Sequence, residues 1–213
     1  MSVKFLPLFP LNLVVYPDEK LNLHIYEPRY RQLVNECLAK EITFGITPFI
    51  SNTIKELGCE VKIVQVNRRY EDGRMDIETM GATIFRLVEF INPAHNRLYA
   101  GGDVELVSLP IEAQSKLLEN LIEKVKTLYT ILQMRIELNF INTCRYVSFE
   151  LGHKVGLAIE QEYELLTITS ETDRQQYLLT HLEKAIPIVA DMERTKERIH
   201  MNGHFKYFDP LNF

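Results

Sequence analysis

The chain has 213 residues, 46% hydrophobic and 25% charged, which is the composition of a folded globular protein and excludes a disordered or collagen-like one. Its 24 basic and 29 acidic residues leave a net charge of −5; splitting at Pro110 gives 12 basic against 14 acidic residues before it and 12 against 15 after. Neither half is a basic platform for nucleic acid, and no apolar run approaches the ~20 residues of a membrane span.

The first 110 residues hold 7 of the 9 prolines and 6 of the 9 glycines, with short β-branched runs between these breakers. Phe5 to Leu8 and Leu13 to Tyr16, interrupted by Pro7, Pro10 and Pro17, read as edge or bent strands, because proline cannot donate to a ladder. Leu21 to Tyr26 alternates, with Leu21, Leu23 and Ile25 on one face and Asn22, His24 and Tyr26 on the other. That is a half-buried strand. Pro28 then opens a helix at a position where a missing N–H costs nothing. Tyr30, Leu33, Val34, Cys37 and Leu38 form its buried stripe. Cys37 on that stripe reads as a buried thiol, since reactive thiols need an exposed electropositive setting. Ile42 to Pro48 and Glu60 to Arg69 are further strands. Asp72-Gly73 signals a hairpin. Arg74 to Met80 and Thr83 to Ile91 follow, broken at Gly81, and Leu98 to Leu109 closes the series after the Asn92-Pro93 turn.

Beyond Pro110 the pattern turns helical. Ile111 to Phe140 contains neither proline nor glycine, and Leu117, Leu118, Leu121, Ile122, Val125, Leu128, Tyr129 and Leu132 keep helical spacing. Arg145 to Ala158 is a second helix, disturbed at Gly152 and Gly156, and Glu162 to Thr167 a short third. Ser170 with Asp173 opens a fourth through a capping-box pattern. Leu178, Leu182, Ala185, Ile186, Val189 and Met192 give that helix its buried face, Pro187 kinks it, and Asn202-Gly203 is its expected stop.

Chemistry-bearing motifs are scarce. There is no G-x-x-x-x-G-K-S/T or G-x-G-x-x-G and no glycine-flanked serine elbow. Ser148 reads as helix surface or back-bonding, and Glu160, Glu162 and Glu164 as a solvated acidic stretch. His200 and His204 are the one histidine pair at i, i+4, and the expected stop between them argues against a zinc site. No metal or cofactor is expected. Arg68, Arg69 and Arg74 around Tyr70 allow an RNA or anion contact, offset by Glu71, Asp72 and Asp76. The tail at 205–213 carries Phe205, Tyr207, Phe208 and Phe213, expected to dock on this chain or on a partner. The three cysteines, Cys37, Cys59 and Cys144, include no C-x-x-C pair and fit reduced thiols in a cytoplasmic protein. Met1 to Pro10 carries one charge, Lys4, and meets Pro7 too early for a secretory signal.

The stretch L-P-L-F-P-L-N-L-V-V-Y-P from Leu6 to Pro17, followed by L-H-I-Y-E-P-R-Y-R-Q-L-V from Leu23 to Val34, resembles the opening of the Lon protease N-terminal substrate-binding domain. Its marks are Pro7, Phe9, Pro10 and Pro17, then Glu27, Pro28, Arg29 and Tyr30. Gly58, Ile63 and Val66, the Asp72-Gly73 hairpin, and Gly81, Phe85, Arg86 and Leu87 continue the likeness. The resemblance implies an α+β fold: a PUA-like β pseudo-barrel with one inserted helix over 1–110, a helical bundle over 111–199, and the aromatic tail from 200. The ATPase and Ser–Lys peptidase motifs of full Lon proteases are not in the sequence, so no catalysis is expected. What the resemblance leaves is recognition of unfolded or tagged polypeptide, with a full-length Lon or another protease as a further partner and a homo-oligomer as an expected assembly. The expected groove residues are Phe9, Leu11, Val15, Tyr16 and Tyr26. An RNA-binding PUA-like module is the alternative.

Overall fold

A closed ring of strands carries the N-terminal half. The structure, a computed structural model, describes residues 3–110 and 116–204. β1 (Val3–Leu11), β2 (Lys20–Ile25), β3 (Phe44–Ile50), β4 (Thr53–Ile54), β5 (Leu57–Arg69), β6 (Met75–Ile91) and β7 (Ala100–Val107) form one sheet ordered β1-β7-β6-β5-β3-β4. A parallel β1–β3 pairing shuts the ring, and β2 lies outside it, paired with β6. Helix α1 (Pro28–Lys40) packs Tyr30, Leu33, Val34 and Cys37 inward, as its spacing predicts.

Several strands differ from expectation. β1 runs unbroken through Pro7 and Pro10, because it changes partner midway: Val3 to Leu8 pairs with β7, and Leu8 to Leu11 with β3. Each proline therefore has a strand on one side only and can turn its nitrogen to the other. Residues 13–16 form no strand. They cross as an irregular connection whose Val14, Val15 and Tyr16 are nonetheless buried. The expected break at Gly81 is a register shift inside one long strand, β6. A Cβ on Gly81 would stand 2.0 Å from the Tyr16 carbonyl oxygen, so glycine is what lets the connection lie against β6. The Asp72-Gly73 turn closes the β5–β6 hairpin, with Gly73 at φ 85°.

The helical half is α2 (Leu117–Ile131), α3 (Val147–Gly152), α4 (Ile159–Thr167) and α5 (Glu171–His204). α2 stops well before Phe140. Gln133 takes a left-handed φ of 54°, and the Met134 N–H turns back to the Tyr129 carbonyl, a helix exit that leaves no trace in hydrophobic spacing. α3 is shorter than expected, and Gly156, at φ 77°, takes part in the turn that follows it. Ser170 caps α5 by accepting the Asp173 N–H at 3.2 Å. α5 continues past Asn202-Gly203 to His204, so the expected stop is absent; an interior glycine costs only about 1 kcal/mol. The buried face of α5 fades after Leu182, leaving Met192 56% exposed. The aromatic residues expected at 205–213 lie outside the described residues. Among the described residues no helix is long and apolar enough to cross a membrane.

Barrel and bundle share a core. Val14, Tyr16, Ile50, Leu57 and Ile84 from the barrel side join one apolar cluster with Leu121, Val125, Phe149, Leu165, Leu178 and Leu182. A second cluster, with Phe9, Val15, Ile25 and Phe44, lies between α1 and the sheet.

Candidate functional site

The shared core opens at the surface where the β1–β2 connection meets the end of α3. A cleft of about 460 Å³ lies there, walled by Tyr16, Pro17, Asp18, Glu19 and Lys20 on one side and Phe149, Glu150, His153 and Lys154 on the other. Its floor is aromatic. Tyr16 stacks on Phe149 with ring centroids 4.8 Å apart and meets the His153 ring at 4.7 Å. A Cβ on Gly152 would come within 2.7 Å of the Tyr16 ring, so glycine at the end of α3 permits this stack.

Polar groups fix the walls. The Tyr16 hydroxyl donates to the Glu162 carbonyl at 3.0 Å, and the Tyr16 N–H donates to the Glu19 carboxylate at 2.8 Å. His153 bridges the halves: Nδ1 lies 2.7 Å from Glu162 and Nε2 3.2 Å from Glu19. Burial opposes a charged ring here, but the two carboxylates outweigh it and hold the His153 pKa up to about 9. The ring is an imidazolium strap at neutral pH, with no free base to offer. Burial, with the Glu162 and Glu19 charges, pushes the Tyr16 phenol upward, so it stays protonated.

The residues expected to form a groove are not brought together. Phe9 and Val15 sit in the core between α1 and the sheet, 5% and 1% exposed. Phe9 stacks on Tyr30 of the E-P-R-Y block, centroids 3.7 Å apart. Being interior, neither presents a surface to a ligand. Tyr16 is also buried and belongs to the cleft floor. Leu11 is half-buried. Tyr26 is 60% exposed, at the far end of β2 from the cleft. Of the motif residues, Pro28 opens α1, Arg29 pairs with Glu27 at 2.8 Å and lies over Tyr30, and Pro17 lines the cleft.

Sequence reading missed His153 and Glu19, and it misassigned Glu162 and Ser148. Glu162 is not simply solvated, since it holds His153. Ser148 is fully buried. Its hydroxyl donates to Glu171 at 2.6 Å and accepts from Arg174 at 2.8 Å. Glu19 and His153 stand 134 positions apart, so no local spacing marks them. The hairpin arginines are engaged at home: Arg74 pairs with Asp72 at 2.6 Å, Arg69 donates to Asn35, and Arg68 covers the Tyr70 ring at 4.6 Å. Cys37 and Cys59 are buried, and Cys144 is half-buried. Burial pushes Cys37 up to about 12 and Cys144 up to about 11.

Two solved structures share this architecture. The Lon N-terminal domain protein from Xanthomonas campestris is 23% identical, with a TM-score of 0.67 over 83% of this chain and 98% of that one. The N-terminal domain of the Mycobacterium avium complex Lon protease is 19% identical, with a TM-score of 0.63 over 84% and 98%. At such identities they speak to the fold alone. No curated protein matches the chain. The family model described as the ATP-dependent protease La (Lon) substrate-binding domain matches residues 5–184, from β1 through most of the bundle. The chain belongs to the Lon substrate-binding domain family.

Proposed function

We propose that the chain is a non-catalytic polypeptide-binding module that engages exposed apolar segments of unfolded or tagged protein, as an adaptor or regulator of proteolysis in the cytoplasm. The observation that carries this reading is the family match, which spans the barrel, the seam and most of the bundle. The cleft supports it: an aromatic floor with a few convergent polar groups is the make-up of a recognition site. Both His153 ring nitrogens are taken up by Glu162 and Glu19, which favours a holding role over proton transfer to a ligand. Tyr26 and Leu11 are the groove candidates that the fold leaves accessible; apolar and aromatic anchors at such surfaces contribute more than charge.

The test is an anisotropy titration of the whole chain with labelled, reduced and unfolded casein. Saturable binding with a Kd in the range of about 1–100 μM is expected; no binding across that range overturns the reading. A gel shift with single-stranded RNA over a salt series examines the alternative. The engaged arginines and the net charge of −5 favour polypeptide.

A further inference from the structure

We infer that the free edge of β2 holds its ligand by strand addition: an extended segment of unfolded polypeptide pairs with Lys20–Ile25 as a further strand of the sheet. The inference rests on the polypeptide-binding reading and names where and how the ligand is held.

Among the described residues β2 pairs with β6 alone. The directions of its backbone groups follow from the register. Lys20 stands opposite Met80, while the next N–H on β6, that of Gly81, donates to the Glu19 carbonyl at 2.8 Å. Lys20–Met80 is thus a non-hydrogen-bonded pair, and the alternation runs on without a shift to Ile25–Met75. Leu21, Leu23 and Ile25 aim their N–H and C=O at β6. Asn22 and His24 aim theirs away from it. The close approach of His24 to Asp76, 2.5 Å between Nδ1 and Oδ1, fits this phase, because residues facing each other in non-hydrogen-bonded pairs lie closer.

The edge is left open in a way folded proteins usually avoid. Edges are blunted by proline, bulges, charged side chains or a covering element, and β2 carries one such charge, Lys20, at its first residue. β2 has no proline, its pairing with β6 has no bulge, and Pro17 and Pro28 fall outside it. Asn22 and His24 are exposed. On the other face, Leu21 and Leu23 are only half-buried against the core under α1. An added strand would answer both faces at once. Its backbone would meet the outward donors and acceptors of Asn22 and His24, and its alternate apolar side chains would cover Leu21 and Leu23. A repeating donor–acceptor row of this pitch is matched by another extended backbone and by little else. Lys20 at one end also lines the cleft, and Tyr26 at the other stacks beside His24 with centroids 6.1 Å apart. The bound segment would span about 20 Å from cleft to Tyr26, at ~3.3 Å per residue.

The experiment follows single amides in the whole chain by hydrogen exchange, with and without unfolded casein, and pairs this with Asn22→Pro. The Asn22 N–H bonds to nothing in β6, so proline removes an outward donor and keeps the ladder; Leu21, the residue before it, is already extended. Casein should slow exchange at Asn22 and His24, with little change at Leu21 and Leu23. Asn22→Pro should weaken casein binding about tenfold or more with unchanged circular dichroism. Casein bound with Asn22 and His24 unprotected overturns strand addition and leaves polypeptide binding standing. Casein unbound by the unaltered chain overturns both. Protection of these amides that rises with protein concentration, without casein, assigns the edge to a second copy and overturns the inference.

Discussion

Two clusters in which a cation meets carboxylate hold α3 in place, and they differ in their access to water. Inside the bundle, Arg174 is fully buried and spends its donors on Ser148, Glu171 and the carbonyls of Ile168 and Thr169. It also lies 4.2 Å from the centre of the Phe149 ring. At the seam, His153 holds Glu19 and Glu162 with its side chain 34% exposed. A dry pair costs several kcal/mol to desolvate and tolerates no missing partner. A wet one contributes little and can be relaxed. The bundle is therefore fastened rigidly from within, while the seam beside the cleft is held by aromatic packing and an adjustable strap.

Removing Arg174 tests the rigid side. Arg174→Ala strands Glu171 and Ser148 without their cation and should cost about 3–5 kcal/mol in urea unfolding. Arg174→Lys should fall close behind, because one ammonium cannot reproduce a planar fork that reaches four acceptors. A loss below about 1 kcal/mol would break the distinction between dry and wet clusters.

The steric part of the seam comes next in size. Gly81→Ala drives a Cβ against the Tyr16 carbonyl, which is backbone and cannot swing away. A loss of about 1–3 kcal/mol is expected, with reduced protection of the Asp18 N–H, which donates to Gly81 at 3.0 Å. An unchanged midpoint in thermal unfolding would show that the connection is free to shift.

These two positions also mark where sequence reading succeeds and where it stops. Periodicity found β2 and the buried stripe of α1, because both report which face meets the core. The E-P-R-Y block found the family. Neither signal could find Arg174, Ser148 or His153, whose partners are set by how barrel and bundle dock. Proline misled at β1, where the switch of partners supplies the unpaired side that Pro7 and Pro10 need. Apolar letters misled at Phe9 and Val15, since a connection or a strand can be apolar because it is interior. Of the five expected groove residues only Tyr16 lines the cleft; the charges around it were illegible.

The strap itself predicts a pH effect. His153 binds its proton more tightly in the folded chain, with a pKa of about 9 against an ordinary 6.5. Its contribution is complete below about 6.5 and disappears as pH rises past about 9. Solvent at the ring screens the two carboxylates, so the loss should be about 1 kcal/mol rather than the full value of the shift. His153→Gln should remove this slope while leaving stability at pH 10 nearly unchanged. A slope that persists in the variant would assign it to another group.

The smallest stability effect is expected at Tyr26, and there the comparison turns from holding the fold to meeting a ligand. Its ring is 60% exposed and joins no core cluster, so Tyr26→Ala should shift unfolding by no more than about 0.5 kcal/mol. Casein affinity should nevertheless fall several-fold, since an exposed aromatic at the end of an open strand gains burial only when a partner covers it. Arg174→Lys serves as the opposite control, damaging stability while leaving the β2 edge untouched. If Tyr26→Ala alters neither quantity, the ligand path ends before this residue, and the contact shrinks to the cleft and the strand.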